Sequence, residues 1–543
     1  MTAYGSTAHR RDDMVAQGYW RDITLLDHLA RVVAETPDKT ALVANRAESG
    51  ETRRFTFADL DRLSDLVALS LRALGVGRGD VVSFQLPNWW EFTVLHLASL
   101  KLGAISNPLM VIFRERELAF MLGLAESKVL VVPHRFRGFD YPALAADVQA
   151  RLPALGHVFV AGGTGDNAFD RLLAPAAGEA GRAALKPYPL AADDVVQLLY
   201  TSGTTGEPKG VMHTSNTMLS NLVPFAARLR LGADDVIHMP SPMAHQLGFM
   251  YGLVLPVVLG ATAVLQDIFA APEMARQIAD ERATFTMGAT PFLNDLTGHV
   301  ETTGQGTPTL SVFVSAGAPI PRALVARARA ALGAAVVSAW GMSENGAVTT
   351  TRPEDGADKT TSTDGLALPG MEVRVIDAQG NLLAPGEEGM LQVRGCSNFV
   401  GYMKRPDLPG LSAEGWFDTG DIARMDAEGY IRIAGRSKDI IVRGGENIPV
   451  VEVEELLFKH AAVAAVAVVG YPDLRLGERA CAFVVLREGA SFSFEAMIAY
   501  LKEQRMAQQY FPERLEIVDE LPRTPSGKIQ KFRLREIAAR PGA

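Results

Sequence analysis

The run Thr201-Ser202-Gly203-Thr204-Thr205-Gly206-Glu207-Pro208-Lys209-Gly210 gathers hydroxyls, glycines and a lysine in one short stretch. Glycines let a backbone turn tightly and present its N–H groups. Successive N–H groups, hydroxyls and a lysine point charge suit an oxyanion such as a phosphate. The lysine follows Pro208 and not a glycine, so this is not a Walker A motif. A plain Thr/Gly surface loop is the alternative.

Other residues offer complementary chemistry. Trp340 opens Trp340-Gly341-Met342-Ser343-Glu344 and offers a flat face for a purine. A core tryptophan is the competing reading. Glu344 supplies a hard carboxylate oxygen for Mg²⁺, with nucleotide phosphates completing the shell. A solvated turn carboxylate would look the same. Asp421, in Phe417-Asp418-Thr419-Gly420-Asp421, can accept from both ribose hydroxyls. Arg436 has forked donors for ribose or phosphate. These two could instead form a surface ion pair. His245 stands among apolar neighbours, where a lone histidine is usually a core group. Lys528 ends the turn sequence Thr524-Pro525-Ser526-Gly527-Lys528. His213, His238 and His460 read as structural.

These residues need a scaffold. Short β-rich runs alternate with helical stretches, which predicts an α/β architecture. Val195–Tyr200 reads as a buried strand and Ser215–Arg230 as a helix capped by Thr214 or Ser215. Val312–Val314 and Val336–Trp340 read as strands flanking a helix over Pro321–Leu332. After Pro369, short strands over Glu372–Ile376, Met390–Arg394 and Tyr430–Ile433 predict a small β-rich subdomain. The last hundred or so residues read as a compact α+β unit, and a polar segment at Arg436–Arg443 marks the cut. The expectation is two domains, 1–436 and 437–543.

The 543 residues carry a formal charge of −9, with no basic block, so a nucleic-acid partner is not expected. The cysteines, Cys396 and Cys481, lack paired spacing, which argues against a zinc site or disulfide framework. Met1–Trp20 has no apolar h-region, and no apolar stretch is long enough to span a bilayer. A cytoplasmic protein without integral membrane association is expected.

Taken together, the motifs resemble the signatures of the adenylate-forming superfamily, which includes acyl-CoA synthetases, luciferases and non-ribosomal adenylation domains. Ser315-Ala316-Gly317-Ala318-Pro319 resembles its adenine-contacting loop, and Arg443-Gly444-Gly445-Glu446-Asn447 also matches. The motifs keep the family's order over nearly the whole chain. The resemblance implies a large N-terminal domain of packed α/β sheets and a small mobile C-terminal domain. It implies ATP, Mg²⁺ and coenzyme A, and two half-reactions through an acyl-adenylate. It gives Ser343 to the α-phosphate and Lys528 to a bridge between substrate carboxylate and α-phosphate. Lys438 matches the hinge. Gly444 and Gly445 would let a pantetheine arm pass. His245, Phe249, Met342 and Ala347 match the acyl pocket.

Those pocket positions are apolar or small apart from His245, which favours a hydrophobic acid over a dicarboxylate. The chain resembles medium-chain and alicyclic acyl-CoA ligases of the cyclohexanecarboxylate-CoA ligase kind. Aryl acids remain an alternative, as does a stand-alone adenylating enzyme loading a carrier protein. An inactive acyl- or nucleotide-binding paralogue is the non-enzyme alternative, and a monomer or homodimer is expected.

Overall fold

The computed structural model describes residues 7–540 except 177, 184, 202–207, 318–319, 437–440, 444–445, 474 and 525–526. Runs such as Val312–Ala316 are buried throughout and form interior strands, as a sheet covered on both faces requires. Among the described residues, the larger sheet has nine strands. Its order is Leu366–Ala367, Gly346–Thr350, Ala335–Met342, Val312–Ala316, Phe285–Gly288, Val236–Met239, Thr262–Gln266, Thr40–Arg46 and Glu51–Thr56. The strands from Ala335–Met342 to Thr40–Arg46 run parallel.

A second sheet has seven strands, ordered Gly401–Tyr402, Lys209–Thr214, Val195–Thr201, Ile105–Pro108, Val81–Phe84, Val129–Pro133 and His157–Ala161. Helix Trp90–Lys101 is buried along its whole length in the core that joins both sheets. Asn88, just before it, ties the sheets together. Its amide donates to the Ser241 and Gln266 carbonyls at 2.9 and 3.0 Å, and it accepts the Met243 N–H at 2.7 Å.

The predicted β-rich subdomain is a four-stranded antiparallel sheet of Met371–Ile376, Glu388–Gly395, Phe417–Met425 and Ile431–Arg436. The remaining unit is α+β. Long strands Val463–Asp473 and Gly477–Leu486 pair antiparallel, with helices Val450–Lys459, Phe494–Glu503 and Lys531–Ala538. The expected cut adjoins residues 437–440, outside the described set. Among the described residues, no helix is long and apolar enough to cross a membrane.

Two local expectations shift. The strand expected over Val336–Trp340 runs from Ala335 to Met342, so Gly341 and Met342 are strand residues. The helix expected from Pro321 begins at Arg322, with Pro321 as its extended cap at φ −62° and ψ 133°.

Candidate functional site

Thr201 ends one strand, Lys209 opens the next, and the two are antiparallel partners. The Thr/Gly run therefore joins two strands, and helix Ser215–Leu229 begins only after the second. Ser202, Gly203, Thr204, Thr205 and Gly206 lie outside the described residues. So do Ala318, Pro319, Lys438, Gly444 and Gly445. Gly317, beside two of them, has φ +79°, a backbone conformation that favours glycine. The Lys209 ammonium lies 5.3 Å from the Tyr402 ring centroid.

Strands Ala335–Met342 and Gly346–Thr350 form a tight antiparallel hairpin whose turn carries Ser343 and Glu344. A Cβ on Gly341 would overlap the Gly346 carbonyl, so glycine there permits the hairpin's close approach. Glu344 is buried, and its Oε1 accepts the Tyr402 hydroxyl at 2.8 Å. Burial and this carboxylate push the Tyr402 phenol far above its usual range, so Tyr402 remains a donor. Among the described residues, no three His, Cys, Asp or Glu residues cluster as a metal cage. A single buried carboxylate fits Mg²⁺, which takes one or two carboxylates and completes its octahedron with phosphates and water.

Asp421 and Arg436 are register partners on neighbouring strands. The Arg436 Nε lies 2.9 Å from Asp421 Oδ1, and the Trp340 indole N–H donates to Oδ2 at 2.9 Å. The ion pair that the spacing left open is therefore formed, with Asp421 buried and Arg436 partly exposed. Trp340 also packs against the core of the four-stranded subdomain. An indole, a carboxylate and a guanidinium thus meet where the large sheet adjoins the small one.

Lys528 approaches from the C-terminal unit. Its turn is closed by Thr524 N–H to the Lys528 carbonyl at 2.7 Å and by Lys528 N–H to Thr524 Oγ1 at 3.0 Å. A Cβ on Gly527 would sit 3.0 Å from that of Ala289, so the turn rests on the start of helix Thr290–Thr303. His245 Nδ1 caps the short helix Gln246–Gly248, accepting the Leu247 N–H at 3.3 Å. Burial, with the Lys528 charge adding, pushes the His245 pKa down to about 4. The structure thus brings together two residues far apart in the chain.

The predicted pocket residues separate into layers. Phe249 is fully buried, edge-on to His96 at 4.8 Å and to Phe92 at 6.2 Å. Met342 is half-buried, at the end of the hairpin. The Ala347 N–H donates to the Tyr251 hydroxyl at 2.8 Å, and Tyr251 donates to Asn221 Oδ1 at 2.8 Å. Asn221 returns to the Ala347 carbonyl at 2.6 Å.

Tyr251, Asn221 and Tyr402 are contacts that sequence reasoning missed. Each reaches its partner across elements, and no local spacing signals such a contact. His213 also gains a partner at the site, because its Nε2 lies 2.7 Å from the Ser343 carbonyl. His238 pairs with Gln277, and His460 packs on Phe492 and Tyr500, so both are structural as expected.

Residues 29–403 match the AMP-binding enzyme family, and residues 452–528 match the AMP-binding enzyme C-terminal domain. The medium-chain fatty-acid–CoA ligase of Escherichia coli (strain K12) is 38% identical, over 97% of this chain and 92% of that protein. A salicylyl-CoA synthase / salicylate adenylyltransferase from Streptomyces sp. is 34% identical, over 96% of this chain and 94% of its own length. Among solved structures, the anthranilate CoA ligase AuaEII in complex with anthranoyl-AMP superposes with a TM-score of 0.85. It is 27% identical, with 95% of this chain and 98% of that chain covered.

Proposed function

The chain belongs to the AMP-binding enzyme family and is an AMP-forming acid–thiol ligase, and we propose that it joins a hydrophobic alicyclic or medium-chain carboxylic acid to coenzyme A. The approach of Lys528 to His245, with the turn that bears it resting on Ala289, carries this reading.

In the first half-reaction the substrate carboxylate attacks the α-phosphorus of ATP. An O–P bond forms, the bond to pyrophosphate breaks, and acyl-AMP results. A carboxylate nucleophile needs no general base, so the protein's work is alignment and charge stabilisation. Lys528 places its ammonium between the carboxylate and the α-phosphate. Ser343 and Lys209 donate to phosphate oxygens, with the described end of the Thr/Gly run at Thr201. Glu344 would hold Mg²⁺, which would supply positive charge to the phosphates. Asp421 and Arg436 hold the ribose and Trp340 flanks the base. In the second half-reaction the CoA thiol attacks the acyl carbonyl carbon and AMP leaves. The unit 437–543 would rotate about Lys438 between the steps, which withdraws Lys528 and brings up Gly444 and Gly445.

The apolar character of Phe249, Met342 and Ala347 supports a hydrophobic acid, as does the named substrate of the E. coli relative. The salicylate relative and the anthranilate ligase support an aryl acid as the second reading. A panel of acetate, hexanoate, octanoate, cyclohexanecarboxylate, benzoate, salicylate and succinate, scored by kcat/KM for thioester formation, separates the two. The expected order puts octanoate or cyclohexanecarboxylate first. Benzoate or salicylate in front would move the assignment to aryl acids, and succinate in front would remove the hydrophobic pocket altogether.

A further inference from the structure

Three consecutive carbonyls of the 343–345 turn are each held from outside the hairpin. The Phe399 N–H donates to the Glu344 carbonyl at 2.7 Å, and the Ser397 hydroxyl to that of Asn345 at 2.8 Å. The Ser343 carbonyl is reached by His213 Nε2 at 2.7 Å, from strand Lys209–Thr214 of the other large sheet. A carbonyl oxygen only accepts, so Nε2 bears the proton. Nδ1 is then the acceptor, and it lies 3.1 Å from the Thr217 hydroxyl. The ring is buried, and burial pushes its pKa down to about 4. Neutral imidazole with this tautomer is therefore the form present at neutral pH. Both ring nitrogens are engaged, so the ring is fixed in direction as well as place.

We propose that His213 is a positioning residue for the Mg-nucleotide: its Nε2–H locks the Ser343–Glu344 peptide in the orientation that aligns Ser343 Oγ and the Glu344 carboxylate for the phosphates and metal. The inference rests on the reading of Ser343 and Glu344 given above. The peptide plane between two residues sets the direction of both side chains. Without its donor, the half-buried Ser343 carbonyl would rotate to seek another, and both groups would swing with it. Of the acyl-pocket positions, Met342 adjoins the turn, whereas Phe249 and His245 lie on separate elements, so the loss falls first on the nucleotide.

The test uses the full chain and replaces His213 by Gln, Asn or Leu. The terminal amide nitrogen of Gln occupies the place of Nε2, whereas that of Asn matches Nδ1. Binding of Mg-ATP without acid is measured by calorimetry, and KM for the acid is measured in turnover. His213→Leu and His213→Asn are expected to raise the Mg-ATP Kd about tenfold, the scale of one buried hydrogen bond, and to leave the acid KM within about twofold. His213→Gln is expected to stay within about threefold of the parent Kd. Unchanged Mg-ATP affinity in folded His213→Leu would overturn the proposal, as would an acid KM that rises in step, or Gln performing no better than Leu. Selective ¹⁵N-histidine spectra of the unmutated protein test the same point without any folding risk. The expected signal is a neutral Nε2–H tautomer, assigned by its loss in His213→Gln; an Nδ1–H tautomer would overturn the proposal. Glu344→Gln serves as the control. If it leaves Mg-ATP binding intact, the site reading itself fails; if it weakens binding while His213→Leu does not, only the role of His213 fails.

Discussion

In the proposed mechanism Lys528 and Glu344 divide the charge work of adenylation, and substitution should separate them. Lys528→Ala is expected to reduce pyrophosphate release by about 10²-fold or more, the scale of losing one preorganised charge partner. It should leave conversion of supplied acyl-AMP to acyl-CoA near the parent rate. An equal fall in both half-reactions would contradict the two-pose account. Buried histidines add a pH signature. His238 is fully buried, and burial pushes its pKa down to about 4 against an ordinary 6.5. The unfolded chain therefore binds a proton between pH 6.5 and 4 that the folded chain does not. Stability from this residue is complete above pH 6.5 and falls as the pH drops toward 4. His238→Gln should flatten the denaturation free energy in that window by about 1.4 kcal/mol per pH unit. Urea titrations from pH 7 to pH 4.5 measure it. At this scale the sequence marked which residues to inspect, and the folded chain pairs one of them, Asp421, with Trp340 and Arg436. His213 read as structural, and its contact with Ser343 was not legible, because a histidine's partner across two sheets leaves no trace in local spacing.

At the scale of elements, the hairpin of Ala335–Met342 and Gly346–Thr350 carries the site, and its spacing depends on Gly341. Gly341→Ala forces a Cβ onto the Gly346 carbonyl, and neither backbone can yield cheaply. The expected outcome is loss of adenylation and a melting temperature lower by several degrees, a few kcal/mol of strain in this setting. A melt and turnover like the parent's would show that the hairpin relaxes. The N-terminal helix Thr7–Ala16 contributes from the other side. The Arg10 guanidinium donates to the carbonyls of Gly395, Cys396, Asn398 and Phe399, between 2.6 and 3.3 Å. That segment supplies the Phe399 N–H to the Glu344 carbonyl. Arg10→Ala should destabilise the chain by about 2 kcal/mol, because buried carbonyls lose a charged donor, and Arg10→Lys should recover part of it. Chemical denaturation with both variants measures this. The strands and helices themselves were legible, since period and length announce them. Residues 202–207 of the Thr/Gly run lie outside the described set. The strand Lys209–Thr214 that follows it was not legible, because six residues between a loop and a helix cap carry too short a period to announce a strand.

At the scale of the whole molecule, two contacts fasten the C-terminal residues to the rest of the chain, and the proposed mechanism makes this arrangement the one that presents Lys528. Arg432 of the four-stranded sheet pairs with Glu455 of helix Val450–Lys459, and Phe458 of that helix packs on the large domain. Arg432→Ala is expected to loosen this pose and slow adenylation more than thioester formation. Stopped-flow measurement of each half-reaction reads the ratio, and a uniform slowing would count against it. The change of texture to a β-rich segment and then to an α+β pattern was legible along the chain; the docking of the last segment was not, because it rests on contacts such as Gly527 on Ala289 that only the folded chain brings together. The most direct test of the account is pyrophosphate release with ATP, Mg²⁺ and octanoate or cyclohexanecarboxylate, with and without coenzyme A. The account predicts slow release without CoA, a marked acceleration with it, and AMP, pyrophosphate and acyl-CoA in equal amounts. Release that CoA leaves unchanged, with acyl-AMP accumulating, would keep the adenylation chemistry and contradict CoA as the acceptor.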